Sequence, residues 1–184
     1  MKSNFSFVNN EIRRQNLDDA FDYIVTLLPF TESVSYNEPA KSAFCKTIII
    51  YTASIVEALL FHLLDSKFTD SDIVDFYSSW ELKDKKELYI VNDSHKIVSG
   101  DYKKVLGKTS KAKMNLAQIS DFLKAKKIID KNLHTDIDTI RILRNEQHFG
   151  VHKKVHTYTK NNIENSFFIA SKVKNFVKKK CAKK

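Results

Sequence analysis

Apolar residues recur at intervals of three and four along most of this 184-residue chain, the pattern of helices with one buried face. Residues Asn9–Leu28 place Ile12, Leu17, Phe21, Ile24, Val25 and Leu28 at that spacing, and Pro29 stops the run. The spacing predicts a first amphipathic helix whose Arg13-Arg14 pair is solvated surface. After a loop through Thr31–Tyr36, Pro39 suits the first turn of a second helix reaching about Ser66. There Phe44, Ile48, Tyr51, Ile55, Ala58, Leu59 and Leu63 cover more than one face, as a central core helix requires. Glu57 and His62 interrupt it. A carboxylate near a core must be hydrogen-bonded or paired, so Glu57 either orients an arginine across the bundle or reaches solvent. A structural role is expected of both residues.

Thr69-Asp70-Ser71-Asp72 has the composition of a helix start, with Ile73, Val74, Phe76 and Tyr77 following in a short helix. Trp80, the single tryptophan, is expected in the core. The texture then changes: Glu87–Asn92 and Lys96–Ser99 are rich in strand-favouring residues and flank Asn92-Asp93-Ser94-His95. This predicts a small β-hairpin or ordered loop inserted around residues 85–105. Helical spacing returns over Ser110–Lys127, breaks at Ile128–Asn132, and resumes from about Leu133 to Phe149, where Gly150 suits a C-terminal cap. A loop then leads to a last helix over Asn162–Lys180, with Ile163, Phe167, Phe168, Ala170, Val173 and Phe176 on its apolar side. The expected fold class is all-α, a helical bundle with that small insertion, forming a single domain over residues 1–184.

Composition narrows the function classes. Three Gly and two Pro argue against a turn-rich β protein. The most apolar stretch, Lys46–Leu64, is broken by Glu57 and His62, so no membrane span is expected. The first residues lack the apolar core of a signal peptide, and Cys45 and Cys181 are too few for a disulfide framework, which makes cytoplasmic residence the expectation. Net charge is +9, with lysines concentrated at Lys103–Lys131 and Lys172–Lys184. Such a balance suits either a polyanion such as RNA, held through phosphate contacts, or plain solubility.

The stretch Asp138–Gly150 holds the sharpest chemistry. Only four of the 31 basic residues are arginines, and Arg141 and Arg144 both lie here. Arginine offers a planar fork suited to phosphate, which lysine does not. At about 100° per residue, Arg141, Arg144 and His148 fall within roughly 60° of one another, beside the apolar flank of Leu133, Ile137, Ile140 and Leu143. They are either a phosphate-handling group or helix residues that cap and pair with neighbours. His148, His152 and His156 recur every four residues, but Gly150 and Lys153-Lys154 end the helix between them, so no zinc site is expected. No Gly-rich phosphate loop, no cysteine pair at metal spacing and no polar recognition helix for DNA is present.

Arg141-x6-His148, with Arg144-Asn145 inside it, resembles the R-x4–6-H motif of the HEPN superfamily, whose members are commonly ribonucleases. YTASIVEALLFHLL (Tyr51–Leu64) is similar to the earlier long helix of HEPN-like proteins, and the similarity extends over Glu38–Lys180. The resemblance implies a HEPN-type helical bundle and a metal-independent endoribonuclease, in which the RNA 2′-hydroxyl attacks the neighbouring phosphate. Products would carry a cyclic 2′,3′-phosphate and a 5′-hydroxyl. An imidazole can move protons near neutral pH and a guanidinium can offset charge on the phosphorane. His148 is therefore expected as acid or base, Arg141 as the main phosphate contact by the residue count, Arg144 as its partner, and Asn145 as a hydrogen-bonding support. One motif supplies one imidazole, so a homodimer facing two motif helices across a shared cleft is implied. A toxin or defence role, with an antitoxin protein as partner, is implied likewise. The rival expectation is a catalytically silent HEPN-like module that binds nucleic acid or a protein.

Overall fold

The computed structural model describes residues 3–145 and 157–182, and these divide into two compact units. The first is helical and draws on both ends of the chain, to Lys67 and again from Asn115; the second is the intervening Phe68–Met114.

In the helical unit, α1 (Glu11–Leu27) begins where the Asn10 side chain accepts a hydrogen bond from the Arg13 amide at 2.8 Å. A short 3₁₀ turn at Leu28–Thr31 carries Pro29 and closes it. Next comes α2 (Glu38–Lys67), 30 residues long, started by Asn37, whose side chain accepts from the Ala40 amide at 3.0 Å. Ile48, Ile49, Ala53, Val56, Leu59, Leu60, Leu63 and Leu64 are fully covered. Burial this broad explains why its apolar residues are not confined to one stripe. Helices α4 (Leu116–Ala125), α5 (Lys131–Asn145) and α6 (Lys160–Cys181) join α1 in packing against α2. Asn115 and Gln118 form a reciprocal capping box at the start of α4. Asp130 accepts from the Leu133 amide at 2.8 Å and starts α5. By length and composition alone α2 is apolar enough to cross a membrane, yet 61% of its apolar window is buried inside the fold. The same pattern is what a core helix needs.

In the second unit, α3 (Asp70–Phe76) starts at a Thr69–Asp72 capping box. Two antiparallel strands follow, β1 (Ser79–Asn92) and β2 (His95–Val105), joined at the tip where the Asn92 side chain accepts from the Ser94 amide at 2.9 Å. Pairing runs from Ser79↔Val105 to Asn92↔His95 with three irregularities, one of them between Lys83 and Lys86, where Asp84 takes a left-handed φ of 52°. Gly100 sits opposite that kink; a Cβ there would lie 2.5 Å from the Lys83 carbonyl oxygen.

This ribbon corrects the all-α HEPN-type bundle. The protein is mostly helical, with six α-helices among the described residues, and the expected hairpin is present, but its strands run 14 and 11 residues from Ser79 to Val105, so the chain is not all-α. The reason is physical. No residue of either strand is fully buried, so no period-two alternation marks the strands, and charged residues such as Lys83, Lys85 and Lys86 sit where strand-formers are expected. Trp80 is likewise not a core residue: it lies on β1 and is 67% exposed. On α1 the apolar face is only partly covered, with Leu17 and Ile24 buried and Ile12 and Val25 open to solvent. Phe5 and Val8, ahead of the helix, take buried positions instead.

Candidate functional site

The last two turns of α5 carry the residues singled out by the motif. Ile137 and Ile140 are fully buried, which turns the helix so that Arg141, Arg144 and Asn145 come out half-buried beside that face. The sequence expectation of polar groups bordering the core holds for Arg141 and Arg144. His148 lies outside the described residues, as do Gly150, His152 and His156.

Both guanidinium groups already meet a carboxylate. Arg141 donates through Nε to Asp138 Oδ1 at 2.7 Å, and its Nη2 lies 2.6 Å from the same oxygen. Arg144 donates through Nη1 to Glu57 Oε2 at 2.5 Å, linking α5 to α2. Glu57 thus does orient an arginine across the helices, the first of the two roles open to it from sequence. The Arg144 and Glu57 side chains are 26% and 30% exposed, so the pair is neither dry nor freely solvated. In that setting each carboxylate fixes the direction of its guanidinium, while the remaining N–H groups of the fork stay able to meet an incoming oxyanion. Asp138 was missed at the sequence level, although its position three residues before Arg141 on a helix is a usable signal.

The lysines divide. Lys103 and Lys104 are tied to Asp84 and Asp75 in the second unit, at 2.6 and 2.7 Å. Lys178, Lys179 and Lys180 are exposed in the last turn of α6, where positive charge also complements the helix dipole. Arg13, taken from sequence as solvated surface, is drawn into the fold: its guanidinium stands 4.8 Å from the centre of the Phe61 ring and 3.3 Å from Asp65. Arg14 reaches the Val8 carbonyl at 3.4 Å. Between α1, α2 and α6 lies an apolar cavity of about 390 Å³, lined by Phe5, Phe21, Ile24, Ile55 and Phe167 with Lys174 among the lining residues. No family model, curated protein or solved structure matches the chain.

Proposed function

We propose that the protein is a metal-independent endoribonuclease of the HEPN type, acting in the cytoplasm as a homodimer whose two α5 helices share one cleft. The observation that carries this is the clustering of Arg141, Arg144 and Asn145 at half-exposed positions on α5, with Arg144 held in place by Glu57. The 2′-oxygen attacks the adjacent phosphorus, the bond from phosphorus to the 5′-oxygen breaks, and His148 handles the proton at one of these oxygens. Arg141 takes the charge developing on the phosphorane oxygens, and Arg144 supports it. The second copy supplies the second imidazole. The +9 charge favours an RNA substrate, and a toxin or defence role with an antitoxin partner fits the same chemistry.

A second reading has its own support. Arg141 and Arg144 are each satisfied by a carboxylate, which is what purely structural arginines look like. On that reading the chain is a silent module that binds nucleic acid or protein.

The two separate cleanly. His148→Ala is expected to lower RNA cleavage by about 10²–10⁴-fold while fold and dimer persist. Arg141→Lys should also damage activity, because a point charge cannot reproduce the guanidinium fork. Arg144→Ala should have the smaller effect, activity should survive EDTA, and products should end in cyclic phosphate. Cleavage that is unchanged in His148→Ala, or a protein that stays monomeric at micromolar concentration, defeats the nuclease and leaves the binding module.

A further inference from the structure

Away from α5, the helical unit gathers a second set of chemistry-bearing side chains. The end of α2 (His62, Asp65, Ser66, Lys67), the entry to α1 (Asn9, Asn10, Arg13) and Cys181 of α6 line a polar cleft of about 230 Å³. A water molecule occupies about 30 Å³ in the liquid, so the cleft is roomy enough for a small organic molecule.

Three features of this cleft point to a ligand. His62 is only 6% exposed, and its Nε2 is buried with no hydrogen-bond partner among the described residues. A buried imidazole nitrogen left unmatched loses its interaction with water and gains nothing in exchange, so such groups ordinarily find a partner. Burial, then the neighbouring Arg13 cation, lowers the affinity of this ring for a second proton, against the opposing pull of Asp65 and of a backbone hydrogen bond at Phe7. Next, the Arg13 side chain is 19% exposed and makes one long hydrogen bond to Asp65 at 3.3 Å among the described residues. A guanidinium has five N–H donors, and its stacking on Phe61 fixes the plane in which they point. Finally, Lys67 is exposed at the same cleft and adds a second cation, so Arg13 and Lys67 together outweigh the charge of Asp65.

We propose that this cleft is a binding site for a small phosphate monoester that also carries a hydroxyl group. The phosphate oxygens lie against Arg13 and Lys67, and the hydroxyl meets the free Nε2 of His62. A phosphate monoester has three terminal oxygens to share between a fixed fork and a mobile ammonium, more than a carboxylate offers. The cleft is lined by none of the residues proposed for RNA cleavage, and the proposal does not depend on that reading.

The test uses the full chain, with ribose 5-phosphate as probe and ribose and inorganic phosphate as comparisons. Imidazole nitrogen resonances are followed by NMR near neutral pH, and the His62 signal is assigned by its loss in His62→Gln. Ribose 5-phosphate is expected to move that signal saturably, ribose to leave it in place, and inorganic phosphate to bind more weakly than the sugar phosphate. His62→Gln and Arg13→Gln should each weaken binding, measured by calorimetry, by about tenfold or more, the scale of one hydrogen bond to a charged group. Should either fail to fold, Lys67→Gln changes only an exposed side chain and is expected to weaken binding several-fold. A His62 signal unmoved at tens of millimolar ribose 5-phosphate, roughly the weakest affinity such a site can have, overturns the proposal and leaves water as the occupant. Equal affinity in wild type and Lys67→Gln, or equal binding of ribose, overturns it as well.

Discussion

Helix α2 and the β1–β2 ribbon are both rich in apolar residues, yet they use them in opposite ways. In α2, Ile48, Ile49, Leu59, Leu60, Leu63 and Leu64 are completely covered. In the ribbon, Leu88, Tyr89, Ile90 and Val91 run consecutively and are 55–65% exposed. Stability in the first is packing; in the second it is a backbone ladder, tied by exposed ion pairs such as Lys96–Glu87 and Lys103–Asp84. The difference shows that hydropathy along a chain reports burial only where the element has a face to bury. A two-stranded ribbon has both faces to cover and no third strand to help.

The largest expected contrast comes from equal cuts in the two regions. Leu60→Ala should cost about 2–5 kcal/mol, since a fully buried leucine leaves a cavity behind. Ile90→Ala, at 65% exposure, should cost less than about 1 kcal/mol. Urea denaturation monitored by helical circular dichroism measures both, and comparable losses would erase the distinction. The ion pairs should follow the same order. Glu57→Ala leaves Arg144 half-buried without its carboxylate and should cost about 1–3 kcal/mol, whereas Lys96→Ala should cost no more than about 0.5 kcal/mol. A double-mutant cycle on Glu57 and Arg144 isolates the coupling between α2 and α5.

Acid should weaken the helical unit through His62. Its folded pKa is held below the ordinary value of 6.5, chiefly by burial and then by Arg13. Below 6.5 the unfolded chain takes up a proton that the folded ring resists, so stability is full above that value and declines as pH falls toward the folded pKa. His62→Gln should flatten this part of the curve, as read from Tm against pH. The smallest perturbation is a spectroscopic one. Trp80 is the only tryptophan and is 67% exposed, so its emission should sit at the solvated end of the range and iodide should quench it readily in the native protein. A blue, shielded emission would mean that the ribbon is covered in solution.

Helices were legible to the extent that burial imposes a period. Ile48, Ile55, Leu59 and Leu63 mark α2 from sequence alone, and Pro39 and Thr69 announce helix starts because the chemistry of a first turn is local. The ribbon was legible over Glu87–Ser99, where strand-favouring residues flank the turn at Asn92-Asp93-Ser94; its exposed base at Lys83–Lys86 carries no alternation to read. Trp80 was misplaced because size and rarity say nothing about whether a neighbour exists to cover the ring. At α5 the positions of Arg141, Arg144 and Asn145 followed from helical spacing. The Arg144–Glu57 partnership did not, since it depends on how two helices meet. Arg13 looked like surface for the same reason: its aromatic platform, Phe61, belongs to another helix.

The Arg144–Glu57 pair also has a consequence for how the protein is made. The two residues stand 87 positions apart. At about 5–20 residues per second, Arg144 leaves the ribosome roughly 4–17 s after Glu57. Over that interval α2, the most apolar helix among the described residues, lacks the α5 and α6 packing it later gains, and the Glu57 carboxylate among its leucines lacks its native partner Arg144. The nascent protein therefore passes through a stage in which its future core helix is its stickiest segment, and the charge of Glu57 then serves to keep that segment in water.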